Sequence, residues 1–202
     1  MSRVDTVFVV DDEDSIRQSL DSMLRSVGYK VELFSSGIEF LERADPGLSG
    51  CVVMDVRLPG PSGLEIQLRL AEQGVQCPIV FITSHGDIEM AVEAMKRHAT
   101  DFLTKPFREQ ALLDAISRAL MTESERLSRN IDRQKEMSLV STLSAREREV
   151  FDFLCQGFVG KQIAHAMTIS EATVKVHRRN IMQKLGIPNI HQLILVFGHR
   201  PE

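Results

Sequence analysis

Five short, mostly apolar runs in the first half of the chain, each followed by a stretch with helical spacing, constrain the fold most. They occupy residues 6–10, 30–34, 51–55, 78–82 and 101–104. Such runs are typical of strands that are buried on both faces of a parallel sheet. Because these strands alternate with helices, the sequence predicts an α/β domain with a doubly wound parallel sheet of five strands.

Polar residues close or follow four of these predicted strands. Asp11 and Asp12 follow the first strand, Asp55 closes the third, Thr83 follows the fourth and Lys105 follows the fifth. In a doubly wound sheet the carboxyl ends of the strands meet at one edge, where ligands bind. Each residue alone has an ordinary explanation, such as an Asp that caps a helix. Together, at matching strand ends, they predict one shared site.

The residue types of this predicted site favour phosphoryl transfer. Three carboxylates in one crevice repel one another, and a hard cation that prefers oxygen ligands, Mg²⁺ or Mn²⁺, would stabilise them. A carboxylate can act as a covalent nucleophile toward phosphorus. Lys105 could offset charge on one phosphoryl oxygen, and the Thr83 hydroxyl could donate a hydrogen bond to another. We therefore expect Asp55 to form an aspartyl phosphate.

These residues also carry a family resemblance. Asp11 with Asp12, Asp55 with the run at 58–64, Thr83, and the segment 105–107 resemble the receiver domain of bacterial two-component response regulators. The resemblance covers residues 4 to about 121. It implies a flavodoxin-like fold. It also implies that Asp55 accepts a phosphoryl group from a phosphohistidine of a sensor histidine kinase.

The resemblance further implies how the site is built. Asp12 and Asp55 would ligate Mg²⁺ directly, and Asp11 would act through water. The backbone carbonyl of Arg57 would complete the ligands that the protein supplies. The peptide bond between Lys105 and Pro106 would be cis, which aims the lysine inward.

A conformational switch is implied as well. Thr83 would move toward the phosphoryl group, and Phe102 would swing from an exposed to a buried position. An ordinary core aromatic is an equal explanation of Phe102. The face formed by residues 87–98 and 101–104 would then change shape and form a homodimer.

Two further residues flank the predicted site. Arg57 and His85 lie two positions after Asp55 and Thr83. We expect the bulky cation of Arg57 to shield the acyl phosphate from water, and His85 to be a solvated loop residue rather than a catalytic one.

The charge of the chain changes sign along its length. Residues 1–124 contain 12 Lys and Arg against 20 Asp and Glu, a net charge of −8, whereas residues 125–202 contain 12 against 8, a net charge of +4. The total of −4 alone argues against a nucleic-acid partner. An acidic half joined to a basic half is instead a sign of two domains with different partners, although chance fluctuation also produces such differences.

The basic half has the pattern of a four-helix, all-α domain with a helix-turn-helix. Ser144 and Glu147 form a capping-box pair that opens the first helix, and Ser170 caps the third, which runs to Leu185. The inward stripe of this third helix is Val174, Ile181 and Leu185. The cations Lys175, Arg178, Arg179 and Lys184 are expected outside, with His177 between them. Such a cluster favours DNA phosphates over a merely solvated basic face.

Motifs in 143–150, 161–164, 169–177 and 180–186 resemble the LuxR-type DNA-binding domain, over residues 141 to about 200. Together with a receiver, this resembles the NarL/FixJ class of regulators. Lys175, Val176 and Arg179 would face base edges, and Thr173 and Lys161 would hold the backbone. The last helix would pair two protomers on DNA through its apolar residues Ile190, Leu193, Ile194 and Phe197. Val159–Gly160 departs from the family pattern, which puts one cap or phosphate contact in doubt.

The resulting domain plan is a receiver at 1–122, a charged helical linker at 123–140 and the DNA-binding domain at 141–202. The apolar spacing in 108–136 thins out, so we expect a solvated linker more than a self-associating one. The predicted function is a phosphorylation-dependent transcriptional regulator. Its partners would be the sensor kinase, a promoter with paired half-sites, RNA polymerase and a second copy of the chain.

Two other functions are compatible with parts of the sequence. An aspartyl-phosphate phosphatase of similar fold needs a general acid two positions after the nucleophile, where this chain has Arg57, so we expect no enzyme activity beyond the receiver's own phosphorylation and dephosphorylation. A receiver that only sequesters another protein would not need the cations of the third helix. No run reaches the roughly 18 apolar residues of a membrane span, and the first six residues lack a signal-peptide layout, so a cytoplasmic protein without a membrane partner is expected.

Overall fold

The computed structural model of the protein describes residues 5–84 and 88–198. It divides into two compact units that meet in sequence between Leu127 and Ser128. This division lies inside one long helix, so the domain limits 1–122, 123–140 and 141–202 stay predictions. No helix within the described ranges is long and apolar enough to cross a membrane.

The first unit contains one parallel sheet whose strands follow the predicted apolar runs. They are β1 (Thr6–Val10), β2 (Lys30–Phe34), β3 (Cys51–Asp55), β4 (Ile79–Thr83) and β5 (Asp101–Thr104). The strand order is β2-β1-β3-β4-β5, and every pairing is parallel. The order reverses direction between β1 and β3, as in a doubly wound, flavodoxin-like sheet. The predicted fold class of this unit is confirmed.

One strand is shifted by a residue from its predicted position. Residues 78–82 were expected in β4, but the strand begins at Ile79 and ends at Thr83. Pro78 has no backbone N–H to donate to the ladder, although its carbonyl still accepts a hydrogen bond from Val52. The shift makes Thr83 the last residue of the strand.

Helices cover both faces of the sheet. They are α1 (Asp14–Ser26), α2 (Gly37–Arg43), α3 (Gly63–Glu72), α4 (Ile88–Lys96) and α5 (Glu109–Ser141). On one face, Phe8, Met54 and Phe81 pack with α2, α3 and α4. On the other, Val9 and Ile82 pack with α1 and the first part of α5. Alternate residues of each strand therefore enter two separate cores, which explains why the strands are apolar throughout.

The second unit is all helical. Its own helices are α6 (Ala145–Cys155), α7 (Gly160–Ala166), α8 (Glu171–Leu185) and α9 (Ile190–Phe197). Ser144 and Glu147 form the predicted capping box of α6, and the Ser170 hydroxyl accepts a hydrogen bond from the Thr173 N–H at the start of α8. The core of this unit is a single apolar cluster that includes Val150, Phe151, Ile163 and Ile181.

Candidate functional site

Three carboxylates converge at the carboxyl edge of the sheet. Asp11 follows β1 and is buried, Asp55 ends β3 and is buried, and Asp12 is exposed beside them. One carboxylate oxygen from each lies within 4.8 Å of the others. We call these three residues the acidic pocket. Its exposed member leaves one face open to an incoming group.

Lys105 connects the two buried carboxylates. Its Nζ lies 2.7 Å from Asp11 Oδ2 and 2.7 Å from Asp55 Oδ2, and only 11% of its side chain is exposed. The Lys105 backbone N–H donates to the Thr83 carbonyl at 2.7 Å, and the bond to Pro106 is cis. The Lys105 amino group is therefore held beside the Asp55 oxygen atoms, where it can offset negative charge that a reaction at Asp55 would produce.

Backbone groups orient the carboxylates. The Glu13 N–H donates to Asp11 Oδ1 at 2.9 Å, and the Arg57 N–H donates to Asp55 Oδ1 at 2.8 Å. Gly63 starts α3 against the end of β3, where a Cβ atom would lie 2.5 Å from the Asp55 carbonyl oxygen. Any larger residue there would push α3 away from the acidic pocket.

The ionisation of the pocket reflects burial and the shared lysine. Burial raises the pKa of Asp11 above its usual range, against the hydrogen bond from Lys105, which lowers it. For Lys105, burial alone would lower the pKa, but its hydrogen bonds to Asp11 and Asp55 outweigh burial, so its pKa is raised. The lysine is therefore a fixed cation at neutral pH.

The two predicted switch residues lie on neighbouring strands. Thr83 is buried at the end of β4, paired in register with Thr104 of β5. Phe102 is half-buried and packs on the core, with its ring centroid 6.4 Å from that of Phe81. This intermediate position fits both explanations of Phe102, and the switch stays a prediction.

The second unit presents cations along the outer side of α8. Val174, Ile181 and Leu185 are buried in the core, as the inward stripe predicted. Lys175, Arg178 and Arg179 are exposed, and we call these three the basic face. Among residues 5–84 and 88–198, no carboxylate lies within ion-pair distance of the basic face. Unpaired cations on one helix side are suited to a polyanion.

Three other predicted DNA-binding residues lie near the basic face. Val176 is 58% exposed, and Lys161 and Thr173 are exposed at the starts of α7 and α8. His177 is half-buried, and its Nδ1 atom is buried without a hydrogen-bond partner among the described residues. Only the other edge of the His177 ring is therefore available to a ligand.

Comparison with known families identifies both units of the chain. Residues 7–117 match the family described as "Response regulator receiver domain", and residues 141–197 match "Bacterial regulatory proteins, luxR family". The chain belongs to the response regulators of the NarL/FixJ class. The regulator therefore combines a receiver domain with a LuxR-type DNA-binding domain, as its motifs predicted.

Individual relatives cover nearly the whole regulator. It is 45% identical over 190 residues to Response regulator protein TmoT of Ectopseudomonas mendocina, spanning 94% of this chain and 86% of that one. It is 40% identical over 199 residues to Transcriptional regulatory protein FixJ of Azorhizobium caulinodans, spanning 96% and 94%. Among solved structures, response regulator StyR matches with a TM-score of 0.81 and 47% identity over 96% of this chain and 98% of that one.

Lys184 has a different environment in the regulator from the one predicted. Its Nζ lies 2.6 Å from Glu147 Oε2 and 3.3 Å from the Thr142 carbonyl oxygen. The prediction grouped it with the other cations of α8 because helical position alone does not reveal a tertiary partner. Its charge is matched inside the domain, which separates it from the three cations of the basic face.

Two of the four predicted pairing residues of α9, Leu193 and Phe197, need correction. Leu193 and Phe197 are buried in the core of the second unit, where the Phe197 ring packs on Phe151, and Ile190 packs against the same core. Only Ile194 of the predicted set lies outside that cluster. The exposed apolar residues of α9 are Leu195 and Val196. An apolar stripe in sequence does not distinguish a core face from a pairing face.

Arg17, which was not predicted from the sequence, lies beside the acidic pocket. Arg17 Nη1 donates to the Asp11 carbonyl at 2.7 Å, and Arg17 Nη2 pairs with Asp14 at 2.9 Å. Arg17 lies in the first turn of α1, where a cation interacts unfavourably with the helix dipole. This unfavourable position was the one signal in the sequence that Arg17 has a specific partner. His85, the other flanking residue, lies outside the described residues.

The sequence departure before α7 has a local substitute. Val159 offers no side-chain acceptor at the N-cap, but Gln162 Oε1 accepts a hydrogen bond from the Val159 N–H at 3.0 Å. Half of a capping box is thus retained, and α7 still begins at Gly160. The fold of the domain survives the departure.

Proposed function

We propose that Asp55 is the phosphoacceptor of this response regulator and that its phosphorylation controls DNA binding. The observation that carries this proposal is the contact of Lys105 with both Asp11 and Asp55 at 2.7 Å. An Asp55 oxygen attacks phosphorus, the bond from phosphorus to the donor histidine nitrogen breaks, and its electron pair stays on that nitrogen. The donor is a sensor histidine kinase.

The residues of the acidic pocket fit a divalent cation. They offer three carboxylates within 4.8 Å, and Mg²⁺ and Mn²⁺ prefer such oxygen ligands. Asp12 and Asp55 would hold the ion directly, Asp11 through water, and the Arg57 carbonyl would add a ligand. The bound ion would neutralise charge on the phosphoryl group. Lys105 would offset a phosphoryl oxygen, and the Thr83 hydroxyl would donate a hydrogen bond to it.

Phosphorylation of Asp55 can be measured on the full chain with phosphoramidate and Mg²⁺. We expect one phosphoryl group on the wild type by intact mass, none on Asp55→Asn, and none after addition of EDTA. Asp114→Asn, an exposed Asp of α5, is the matched control and should behave like the wild type. Equal phosphorylation of Asp55→Asn and the wild type would refute the assignment.

The basic face is the proposed DNA contact. Lys175 and Arg179, with Val176, would face base edges, while Arg178, Lys161 and Thr173 would contact the phosphate backbone, with His177 between them. We expect Arg178→Gln to reduce the salt dependence of DNA binding, the slope of log K against log salt concentration, by about one. The slope is measured on a duplex selected by the wild-type chain from a randomised library. An unchanged slope would exclude Arg178 as a phosphate contact.

Dimerisation on paired half-sites is proposed through the exposed side of α9. Leu195 is 69% exposed and Val196 is 39% exposed, and Ile194 lies beside them in sequence. Leu195→Glu should weaken binding to a duplex with two half-sites and leave binding to one half-site unchanged, since only the first needs a second copy. RNA polymerase is the remaining proposed partner, because several relatives are transcriptional regulatory proteins.

Each of the two alternative functions makes a prediction that differs from that of the proposed function. A phosphatase would turn over p-nitrophenyl phosphate, which we do not expect, because a guanidinium at Arg57 is a poor general acid. A receiver that only sequesters proteins would show no DNA binding that weakens steeply with salt. The salt titration above therefore also discriminates this last function from the proposed one.

A further inference from the structure

Lys184 occupies a different side of α8 from the basic face. At 3.6 residues per turn, each residue advances about 100° around the helix. Lys184 is nine positions after Lys175 and five after Arg179, which places it about 180° and 140° away from them. It lies about 60° from the buried Ile181, at the edge of the buried stripe farther from Arg178. Lys184 therefore lies on a side of α8 away from Lys175 and Arg179, and its ammonium contacts Glu147 of the same domain.

The partners of Lys184 form a node between three chain segments. Glu147 Oε2 accepts from Lys184 Nζ at 2.6 Å and from the Ser144 N–H at 2.8 Å. The Thr142 carbonyl, one residue after the end of α5, lies 3.3 Å from the same Nζ. The end of α8 is thus tied to the end of α5 and the start of α6. The Glu147 side chain is only 6% exposed and that of Lys184 is 39% exposed, so the carboxylate is shielded from solvent while the lysine reaches it from the surface.

The electrostatics agree with a strong contact. The hydrogen bond from Lys184, followed by that from the Ser144 backbone, lowers the pKa of Glu147 to about 2. The other anchors of α8, Val174, Ile181 and Leu185, are apolar, and apolar contacts are not directional. A charged hydrogen bond restricts geometry more closely. The node can therefore fix the rotation and axial position of α8 in a way that the apolar core does not.

We propose that Lys184 is a positioning residue for DNA recognition: it holds α8 on the junction of α5 and α6 so that the basic face has one orientation. This inference rests on the proposed DNA-binding role of α8. It assigns Lys184 no contact with DNA.

The test uses the full chain, the duplex selected from a randomised library and an unrelated duplex of equal length. Lys184→Met removes the ammonium, and Glu147→Gln removes its partner while a Gln can still complete the capping box. Active fractions are set by stoichiometric titration and folding is checked by circular dichroism. Lys184→Arg keeps the charge and serves as the conservative variant.

Both Lys184→Met and Glu147→Gln should weaken binding to the selected duplex by about tenfold and binding to the unrelated duplex much less. The salt dependence should stay that of the wild type, in contrast to Arg178→Gln. The double variant should be no worse than either single variant, since both break one interaction. Lys184→Arg should recover most of the affinity.

Two outcomes would overturn the proposal. If Lys184→Met lowers the salt slope by about one while Glu147→Gln binds like the wild type, Lys184 contacts phosphate directly. If both variants bind like the wild type, the node does not position α8. Should Lys184→Met fail to fold, Glu147→Gln alone gives the same decision. Failure of the proposed function is distinct, because the wild type would then show no salt-dependent binding to either duplex.

Discussion

The acidic pocket and the basic face are both clusters of charge, but they are built in opposite ways. The pocket joins residues far apart in sequence, such as Asp11 and Asp55, and these two buried carboxylates are matched by Lys105 at 2.7 Å. The basic face comes from one helix, and its cations are exposed without a carboxylate partner in the described part of the chain. A matched, buried cluster is suited to chemistry at a fixed point. An unmatched, exposed one is suited to a large anionic surface.

The largest effect is expected from removing the cation that pairs with the acidic pocket. Lys105→Met leaves the carboxylates of Asp11 and Asp55 facing each other, and breaking a buried pair costs about 3 kcal/mol of the free energy of unfolding. Phosphorylation by phosphoramidate should slow at least tenfold, roughly 1.4 kcal/mol in the barrier. Added Mg²⁺ should stabilise this variant more than the wild type, because it supplies the missing positive charge.

Urea unfolding with and without Mg²⁺ measures the effect. Lys96→Met, at an exposed position of α4, is the matched control and should change the free energy of unfolding by less than about 0.5 kcal/mol. A Lys105→Met chain as stable as Lys96→Met would show that the contacts of Lys105 do not stabilise the receiver.

The next largest effect is expected at Gly63, where the backbone of α3 packs against the end of β3 beside the acidic pocket. Gly63→Ala places a Cβ atom 2.5 Å from the Asp55 carbonyl and 3.1 Å from the Val56 Cα, and a backbone neighbour cannot yield cheaply. We expect a loss of about 1–3 kcal/mol of unfolding free energy and slower phosphorylation. Gly160→Ala, at the first residue of α7, meets no atom within 4 Å. This variant should leave the free energy of unfolding unchanged or raise it by a few tenths of a kcal/mol, because Ala is preferred over Gly in a helix.

Thermal unfolding of the two glycine variants measures this contrast. Equal melting temperatures for Gly63→Ala and Gly160→Ala would contradict a tight junction between β3 and α3.

The smallest effect concerns pH and the second unit. The lowered pKa of Glu147, about 2 in place of 4.5, means that its contribution to stability is complete above pH 4.5 and is lost as the pH falls toward 2. Lys184→Met removes the main cause of this shift. The difference in melting temperature between the wild type and Lys184→Met should therefore be largest near neutral pH and shrink below about pH 4. A difference that stays constant down to about pH 2.5 would mean that Glu147 and Lys184 are not coupled.

The two regions also differ in how well the sequence predicts them. The strands and the acidic pocket were predictable, because apolar runs that alternate with helices indicate a parallel sheet, and such a sheet brings Asp11, Asp55 and Lys105 to one edge. The boundary of β4 moved because Pro78 lacks a donor.

On the helices of the second unit the predictions were less complete. Lys184 and Lys175 are indistinguishable as residue types, and only the tertiary contact with Glu147 separates a structural cation from one available to DNA. Likewise, Leu193 and Leu195 are both apolar in α9, but one is buried and the other is 69% exposed. One face of a helix can serve a core or an interface, and sequence periodicity alone does not decide which.

The central claim is that phosphorylation of Asp55 in the acidic pocket controls DNA binding by the basic face. Binding of the full chain to the selected duplex, measured before and after treatment with phosphoramidate and Mg²⁺, tests it most directly. We expect treatment to tighten binding by the wild type by about tenfold or more and to leave Asp55→Asn unchanged. Equal tightening of both proteins, or none in a wild type that carries the phosphoryl group, would contradict the claim.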